Sequence, residues 1–482
     1  MVDGLDRPVA ADLRRRQSQS GVNVSSRPVR GGTGRDMTRS MYLREIEITN
    51  IRALQKVKWT LPKDHKGPGW HVILGDNGSG KSSFLQAVAL ALVGPNEALA
   101  LRQEFGTWVR GDEKQADVRL EIEPNRLDRL GKRRDRAALV CPHIVIERSE
   151  DDDLSPRYAH VTTADAEQRR EPLALWDVTV KGWFSAGFGP FRRFEGGDSD
   201  ISKLFRTNPI LAPHLSLFSE SVALTECMAW LRKLRNGEIQ HPADAEANKL
   251  FEYLKHFVNQ SKLLPGDVTL AGFVLDEDAV GFRDAAGQEV TVMALSDGFR
   301  TILSLTFELF RLLDWTFGSK DFLDHCVSAS ASGEPPHVTL PGVVLIDEVD
   351  AHLHPTWQHR IGQWCKRCFP NIQFIVTTHS PIICQAAEGG TVFKLPQPGM
   401  DEEARMLTGD ELDRLVYGSV LDAYSTTAFD EQATRSDAGR MLMSELADLN
   451  IKELEEGLSA KEKRRQAHLR VILPGCDVPE EK

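Results

Sequence analysis

The sequence predicts an α/β protein with a mixed, largely parallel sheet, an inserted α+β lobe and a helical C-terminal segment. Three observations carry this. The apolar strand HVIL runs into the loop GDNGSGK and then the apolar-periodic SSFLQAVALALV. The continuous run VVLI ends in two carboxylates, Asp347 and Glu348. The run QFIV follows a helical stretch and ends at Thr377, Thr378 and His379. Short apolar runs alternating with helices are the pattern of buried parallel strands, and ligands collect beyond the carboxyl ends of such strands.

Composition bounds the function without naming it. At about 150 residues per domain, a chain of 482 residues corresponds to roughly three lobes. Lys and Arg total 59 against 70 Asp and Glu, a net charge of −11, and the 41% apolar content is enough for a sizeable core. The acidic total argues against a general nucleic-acid coat and leaves local basic patches open. No apolar run reaches the roughly 18 residues of a membrane span, so no membrane domain is expected. The N-terminus has no apolar signal core, so the expected location is the cytoplasm. Seven cysteines, sparse and odd in number, are not a disulfide framework.

The elements follow in order. Residues 1–40 are rich in Arg, Ser and Gly without apolar periodicity and read as a disordered tail. An over-called translation start and a basic arm touching nucleic acid are the two readings of it, and structure is expected from Met41. MYLREIEITNI alternates like a half-buried strand, VKWTLP follows as a second, and GWHVILG is a short buried run. SSFLQAVALALV has helical periodicity and stops at Gly94. Residues 41–125 thus form the first part of a split head. Residues 126–290 are the expected inserted lobe, with strand-like ALVCPHIVIE, acidic SEDDDLSP and a mostly helical stretch from Leu224 to Lys262. Its end, FVLDEDAVGFRDAAGQEVTV, reads as two strands around an Asp- and Gly-bearing turn. Residues 291–400 complete the head. Phe299 to Phe317 is a long apolar helix there, and the helical WQHRIGQWCKRC separates the strands VTLPGVVLID and IQFIVTTH. A short strand after Thr391 leads into the charged, helical segment 401–482.

The chemistry lies at the strand ends. Gly75, Asp76, Asn77, Gly78, Ser79, Gly80, Lys81 and Ser82 match G-x-x-x-x-G-K-[ST], the P-loop, with Ser83 following. Its glycines let backbone N–H groups turn inward around phosphate oxygens, and the helix N-terminus adds positive potential. Lys81 is expected on the β- and γ-phosphates and the Ser82 hydroxyl on Mg²⁺, which makes ATP and Mg²⁺ the expected cofactors. Asp347 is placed to hold Mg²⁺ through its water shell, and Glu348 to polarise the attacking water as general base. Leu295-Ser296-Asp297-Gly298 opens the long helix: Ser296 reads as its N-cap, and with Gly298 it fits L-S-x-G, a helix N-terminus aimed at an anion. His379 is placed to sense the terminal phosphate. Alone, a strand-end acid, a cap serine or a strand-end histidine is commonly structural. Their order in one chain favours the catalytic reading.

These residues resemble the OLD/RecF/SMC branch of ATP-binding-cassette (ABC) ATPases. The resemblance rests on the run from Asp347 to Pro355 (DEVDAHLHP), on TTHSP, on G-x-N-G-S-G-K-S-S and on the opening MYLREIEITNIRAL. HLHP and Asn50-Ile51-Arg52-Ala53-Leu54 set the chain apart from transporter cassettes. GFGPFRRF (Gly187 to Phe194), LSDGFRT and VYGSVLDAYSTTAF are similar to the Septu and retron-associated ATPases of anti-phage systems. The resemblance spans Met41 to the AYSTTAF segment, with its specific motifs in the head. It implies a homodimer, or higher homo-oligomer, that sandwiches ATP between the P-loop of one subunit and the LSDG of another and opens on hydrolysis. It also implies a sensor or regulator of a separate, nuclease-like effector. Two departures stand out: no Q-loop glutamine is legible, and Ile51 replaces the usual Phe before Arg52.

Spacing narrows the branch. About 215 residues (296 − 81) separate Lys81 from Ser296, too few for a long coiled-coil arm. The roughly one hundred residues after His379 (482 − 379) carry no acidic constellation of the TOPRIM nuclease type. A RecF-like DNA-repair ATPase that clamps DNA directly and a nucleotide-gated scaffold are the competing functions. Nucleic acid remains a candidate partner through Arg126, Arg129, Lys132, Arg133, Arg134 and Arg136, although a solvated loop is the plainer reading. Arg192 and Arg193 are the next candidates, for nucleic acid or for a place beside the nucleotide. Lys461, Lys463, Arg464 and Arg465 read as coating an exposed helix. Cys365 and Cys368 are expected as buried helix positions and not a zinc site, and His352, His354 and His359 are assigned no metal.

Overall fold

The middle of Tyr42–Ile51 (β1) alternates as a one-sided sheet requires: Ile46 and Ile48 are buried while Glu45, Glu47 and Thr49 are not. The structure, a computed structural model, describes residues 42–123, 139–149, 159–170, 173–177, 183–194, 203–204, 207–220, 222, 225–240, 245–264, 268–274, 279–284, 286–330, 333–400, 402–424, 426–429 and 437–473. The tail 1–40 and the basic cluster Arg126 to Arg136 lie outside these residues.

β1 is the second strand of a five-stranded antiparallel sheet. Its neighbours are Leu54–Thr60 (β2) on one side and Gln115–Glu123 (β4) on the other, continued by His143–Arg148 (β5) and Ala159–Thr163 (β6). A second sheet of six strands has the order β16-β15-β3-β14-β13-β7. Its members are Gly69–Leu74 (β3), Ser185–Phe188 (β7), Gly342–Ile346 (β13), Ile372–Thr378 (β14), Thr391–Lys394 (β15) and Arg405–Met406 (β16). All pairings in it are parallel except β15 with β16. The expected α/β class with a mixed, largely parallel sheet is the fold this chain adopts.

Alternate residues of the parallel strands enter two separate cores. Trp70, Val72, Val344, Ile346, Phe374 and Val376 join one; Ile73, Val343, Leu345, Ile375 and Phe393 join the other. Burial on both faces explains why these strands read as unbroken apolar runs. The second core is completed by Lys81–Val93 (α1), which Gly94 ends, and by the inward face of β1 and β4. The first is completed by Thr225–Gln240 (α2), Ala245–Gln260 (α3), Asp297–Phe317 (α4) and Pro355–Cys368 (α5). Phe257 of α3 and Phe310 of α4 meet edge to face at 4.8 Å, with Phe369 against both.

One sequence expectation changes, and one strand was not expected. FVLDEDAVGFRDAAGQEVTV contributes to three strands, not two: Thr269–Val274 (β8), Ala279–Arg283 (β9) and Glu289–Thr291 (β10) form a meander. The Asp-Gly turn expected between two strands is the β9–β10 turn, where the Asp284 carboxylate accepts from the N–H groups of Ala286 and Gln288. β4 has no counterpart in the sequence reading, although QADVRLEIE alternates and buries Ala116, Val118, Leu120 and Ile122. Within the span 126–290, β5 and β6 extend the antiparallel sheet, and β7 is the outer strand of the parallel one.

A small two-stranded ladder, Cys326–Val327 (β11) with His337–Val338 (β12), lies between α4 and β13 in the chain. The C-terminal segment is helical, as expected: Gly409–Tyr417 (α6), then Asp437–Glu455 (α7) and Ala460–Ile472 (α8). α7 and α8 share a minor cluster of Leu446, Leu469 and Leu473. A capping box at Ser459 and Glu462 starts α8, and bonds from Lys452 and Ser459 hold the Glu462 carboxyl down to about 2. Lys461, Lys463 and Arg464 are exposed on it, while Arg465 pairs with Glu445. Among the described residues no single helix is long and apolar enough to cross a membrane.

Candidate active site

The register of the parallel sheet brings three loops to one edge. Leu74 of β3 lies opposite Thr378 of β14, and Val376 of β14 lies opposite Ile346 of β13. The P-loop, His379 and the Asp347-Glu348 pair therefore leave the sheet side by side.

The P-loop is built by two left-handed glycines, Gly78 at φ +83 and Gly80 at φ +96. A Cβ on Gly80 would come within 2.7 Å of Leu54 Cδ2, so close packing and backbone geometry both demand glycine there. Gly80 is also the N-cap of α1 and offers no side chain to it. The first N–H groups of the helix are left for an external acceptor, as anion sites require. Ser79 is buried, and its Oγ has no hydrogen-bond partner among the described residues.

Lys81 is only 6% exposed, and its Nζ donates to the carbonyls of Gly75 and Asp76, each at 2.8 Å. Burial pushes its pKa down, while Glu348, Asp347, Asp76 and Asp350 push it back up. With the Arg192 guanidinium, which feels three of the same groups, two cations face four carboxylates, an excess of negative charge that suits a divalent cation. Mg²⁺ keeps several waters and takes only one or two protein oxygens when phosphates complete its shell. The half-buried Ser82 hydroxyl and the buried Asp347 carboxylate fit that requirement. No group of three or more His, Cys, Asp or Glu that could hold a metal occurs among the described residues.

Thr377 links the two carboxylate positions. Its hydroxyl donates to Asp347 Oδ1 at 2.5 Å and accepts from the Glu348 backbone N–H at 2.7 Å. Glu348 is half-buried and left-handed at φ +44, costly for a residue with a side chain. Asp350 is buried, accepts from Thr378 Oγ1 at 2.5 Å and approaches His379 Nε2 at 3.5 Å. His379 is 56% exposed and lines a 210 Å³ cavity with Gly75, Asp76, Asn77, Gln397, Tyr424 and Phe429. The AYSTTAF segment therefore packs on the head at the P-loop.

Ser296 and Gly298 are not gathered into this cavity. Ser296 is exposed at the N-cap position of α4, but its hydroxyl makes no capping bond. Gly298 sits close enough to His352 that a Cβ would lie 3.3 Å from its carbonyl. Nearby Asp297, Arg300, His352 and Arg193 line a separate 370 Å³ cleft. Arg192 is 4% exposed and donates to the Asp347 and Glu348 carbonyls. The loop after β7, which carries this arginine, follows a strand paired with β13.

Arg52 stacks on Trp108 at 4.5 Å and donates to Gln86 on α1 at 2.7 Å and to the hydroxyl of Ser83, the residue after the P-loop, at 3.5 Å. Cys365 and Cys368 are buried helix positions, and burial pushes both thiols up. Sequence reasoning assigned no role to Asp350, Thr377 or Gln397, which donates to Asp76 Oδ2 at 3.1 Å. The first two lie within the quoted DEVD and TTH motifs, but only the strand register shows what they touch.

Two family models match the chain. One described as "AAA domain, putative AbiEii toxin, Type IV TA system" matches residues 229–385, and a second "AAA domain" matches residues 45–167. The chain is similar to a Septu protein PtuA from Bacillus mycoides (strain KBAB4), 25% identical over 73% of this chain and 40% of that one. It is similar to the "Retron Vc95 probable ATPase" of Vibrio cholerae, 24% identical over 71% of each chain. It is also similar to the "Retron Ec83 probable ATPase" of Escherichia coli, 31% identical over 33% of this chain and 29% of that one. The chain thus spans less than half the length of the first and third of these relatives.

Proposed function

We infer that this chain, an ABC-type P-loop ATPase resembling the Septu and retron-associated ATPases, binds ATP with Mg²⁺ and hydrolyses it to regulate a partner effector in anti-phage defence. The observation that carries the reading is the meeting of P-loop, Asp347-Glu348 pair and His379 at one edge of adjacent parallel strands. In this reading Lys81 exchanges its two loop carbonyls for the β- and γ-phosphates, and the free N–H groups of α1 take phosphate oxygens. Ser82 and Asp347 hold Mg²⁺, which when bound neutralises charge on the phosphates. Glu348 accepts the proton of the attacking water, and His379 contacts the terminal phosphate.

The exposed Ser296 and the half-buried Gly298 supply the helix N-terminus that closes a second copy's nucleotide site. Two nucleotides are then buried between self-complementary faces, and loss of the γ-phosphate opens them. The defence role and the separate effector rest on the relatives' names together with the motifs shared with them.

Glu348→Gln tests the reading. It is expected to lower turnover by about 10²–10⁴-fold, the usual contribution of a general base, while leaving ATP binding intact. Size-exclusion chromatography with ATP should then show a persistent nucleotide-bound dimer. Undiminished turnover would remove Glu348 from the base role.

A further inference from the structure

We propose that Arg192 is a positioning residue that fixes the direction of Glu348 and ties it to the helix opened by Ser296. This rests on the reading of Glu348 as general base.

The left-handed backbone at Glu348 is held from two sides. Its N–H donates to Thr377 Oγ1 at 2.7 Å, and its carbonyl accepts from Arg192 Nη2 at 3.0 Å. Arg192 Nη1 donates to the carbonyls of Asp347 at 2.9 Å and Gly189 at 2.9 Å. A strained conformation persists only where its surroundings over-determine it, and here one side chain from β14 and one from the loop after β7 do so. The guanidinium suits this task because its fork is planar and reaches three carbonyls at once; an ammonium is a point charge.

The same residue reaches the other functional element. Ser304, buried on α4 about two turns beyond Ser296, has its Oγ 3.1 Å from the Arg192 backbone carbonyl and 2.9 Å from the Thr301 carbonyl of its own helix, and shares its one proton between them. One residue of the GPFRRF loop therefore bonds both to the strand end carrying the base and to the helix presented to a second subunit. Burial lowers the Arg192 pKa to about 10, against the pull of Asp347, Asp350 and Glu348, so it stays charged at neutral pH.

The test uses Arg192→Lys and Arg192→Ala in the full chain, with thermal unfolding as the check on folding. Single-turnover ATP hydrolysis and ATP affinity by calorimetry are measured for each. Arg192→Lys is expected to keep ATP affinity within about twofold and to lose about 10–100-fold in rate, the scale of a misplaced catalytic group. In a Glu348→Gln background it should add no further loss. Should Arg192→Ala fail to fold, Arg192→Lys decides. A folded Arg192→Lys with wild-type rate, a parallel loss of ATP affinity, or an additive loss in the Glu348→Gln background would overturn the proposal. If Glu348→Gln itself turns over at the wild-type rate, the hydrolytic reading fails and the inference falls with it. If Glu348→Gln is inactive and Arg192→Lys is normal, the inference alone falls.

Discussion

Lys81 is a buried cation held by the carbonyls of its own loop. In the proposed function its N–H donors turn to the ATP phosphates. Hydrogen bonds from charged groups are worth about 1.5–3 kcal/mol each. Lys81→Ala should therefore weaken ATP binding by about 3 kcal/mol, roughly a hundredfold, by calorimetry. Retained affinity would sink the P-loop assignment. Lys81, Ser82 and the glycines were legible because a P-loop is local: eight consecutive residues hold its chemistry. Glu348 and His379 were legible through their order along the chain. Arg192 was legible only as one of two candidate cations with two open roles, because its bonds to Asp347 and Glu348 cross 155 and 156 positions and leave no mark at either end.

At the scale of elements, hydrophobic periodicity was a good guide wherever an element was long. α1, α3, α4 and α5 fall close to where their patterns place them. Short strands were the weak point: β7 has four residues, and its place beside β13 is set wholly by distant pairing. β4 went unread despite clean alternation, hidden between the P-loop helix and a charged stretch. α4 owes its stability to an aromatic cluster centred on Phe310, in contact with Tyr253, Phe257, Phe322 and Phe369. Phe310→Ala removes that centre and should destabilise the protein by about 3–5 kcal/mol, measured by chemical denaturation. A loss below about 1 kcal/mol would mean that the cluster does not close around Phe310.

For the whole molecule, two buried histidines give stability a pH dependence. Burial lowers His71 and His214 to about 3 each, with His65 adding to the effect on His71. Both stay neutral in the fold: His71 bonds with Gly67 O and Thr391 Oγ1, and His214 with Ser185 Oγ. As pH drops below about 6.5, the unfolded chain takes up protons that the native state refuses. Stability therefore falls from pH 6.5 toward 3, by up to about 1.4 kcal/mol per pH unit for each histidine. Melting temperatures across this window should show the fall, and His214→Gln should make it shallower by about one proton. An unchanged slope in that variant would place the acid sensitivity elsewhere.

The strand that leads into the P-loop has a consequence for how the protein is made. β3 is complete by Leu74, yet both of its neighbours, β14 and β15, come from residues 372–378 and 391–394. Even β1 is clasped from far away, where the Gln373 side chain bonds both the N–H and the carbonyl of Leu43. A ribosome adding about 5–20 residues per second needs roughly 15–60 s to deliver β14 after β3. Until then the P-loop strand has no sheet to belong to and no carboxylates beside it. An interrupted chain therefore carries the whole P-loop sequence but no assembled site, so translation itself withholds the site until β14 has been made.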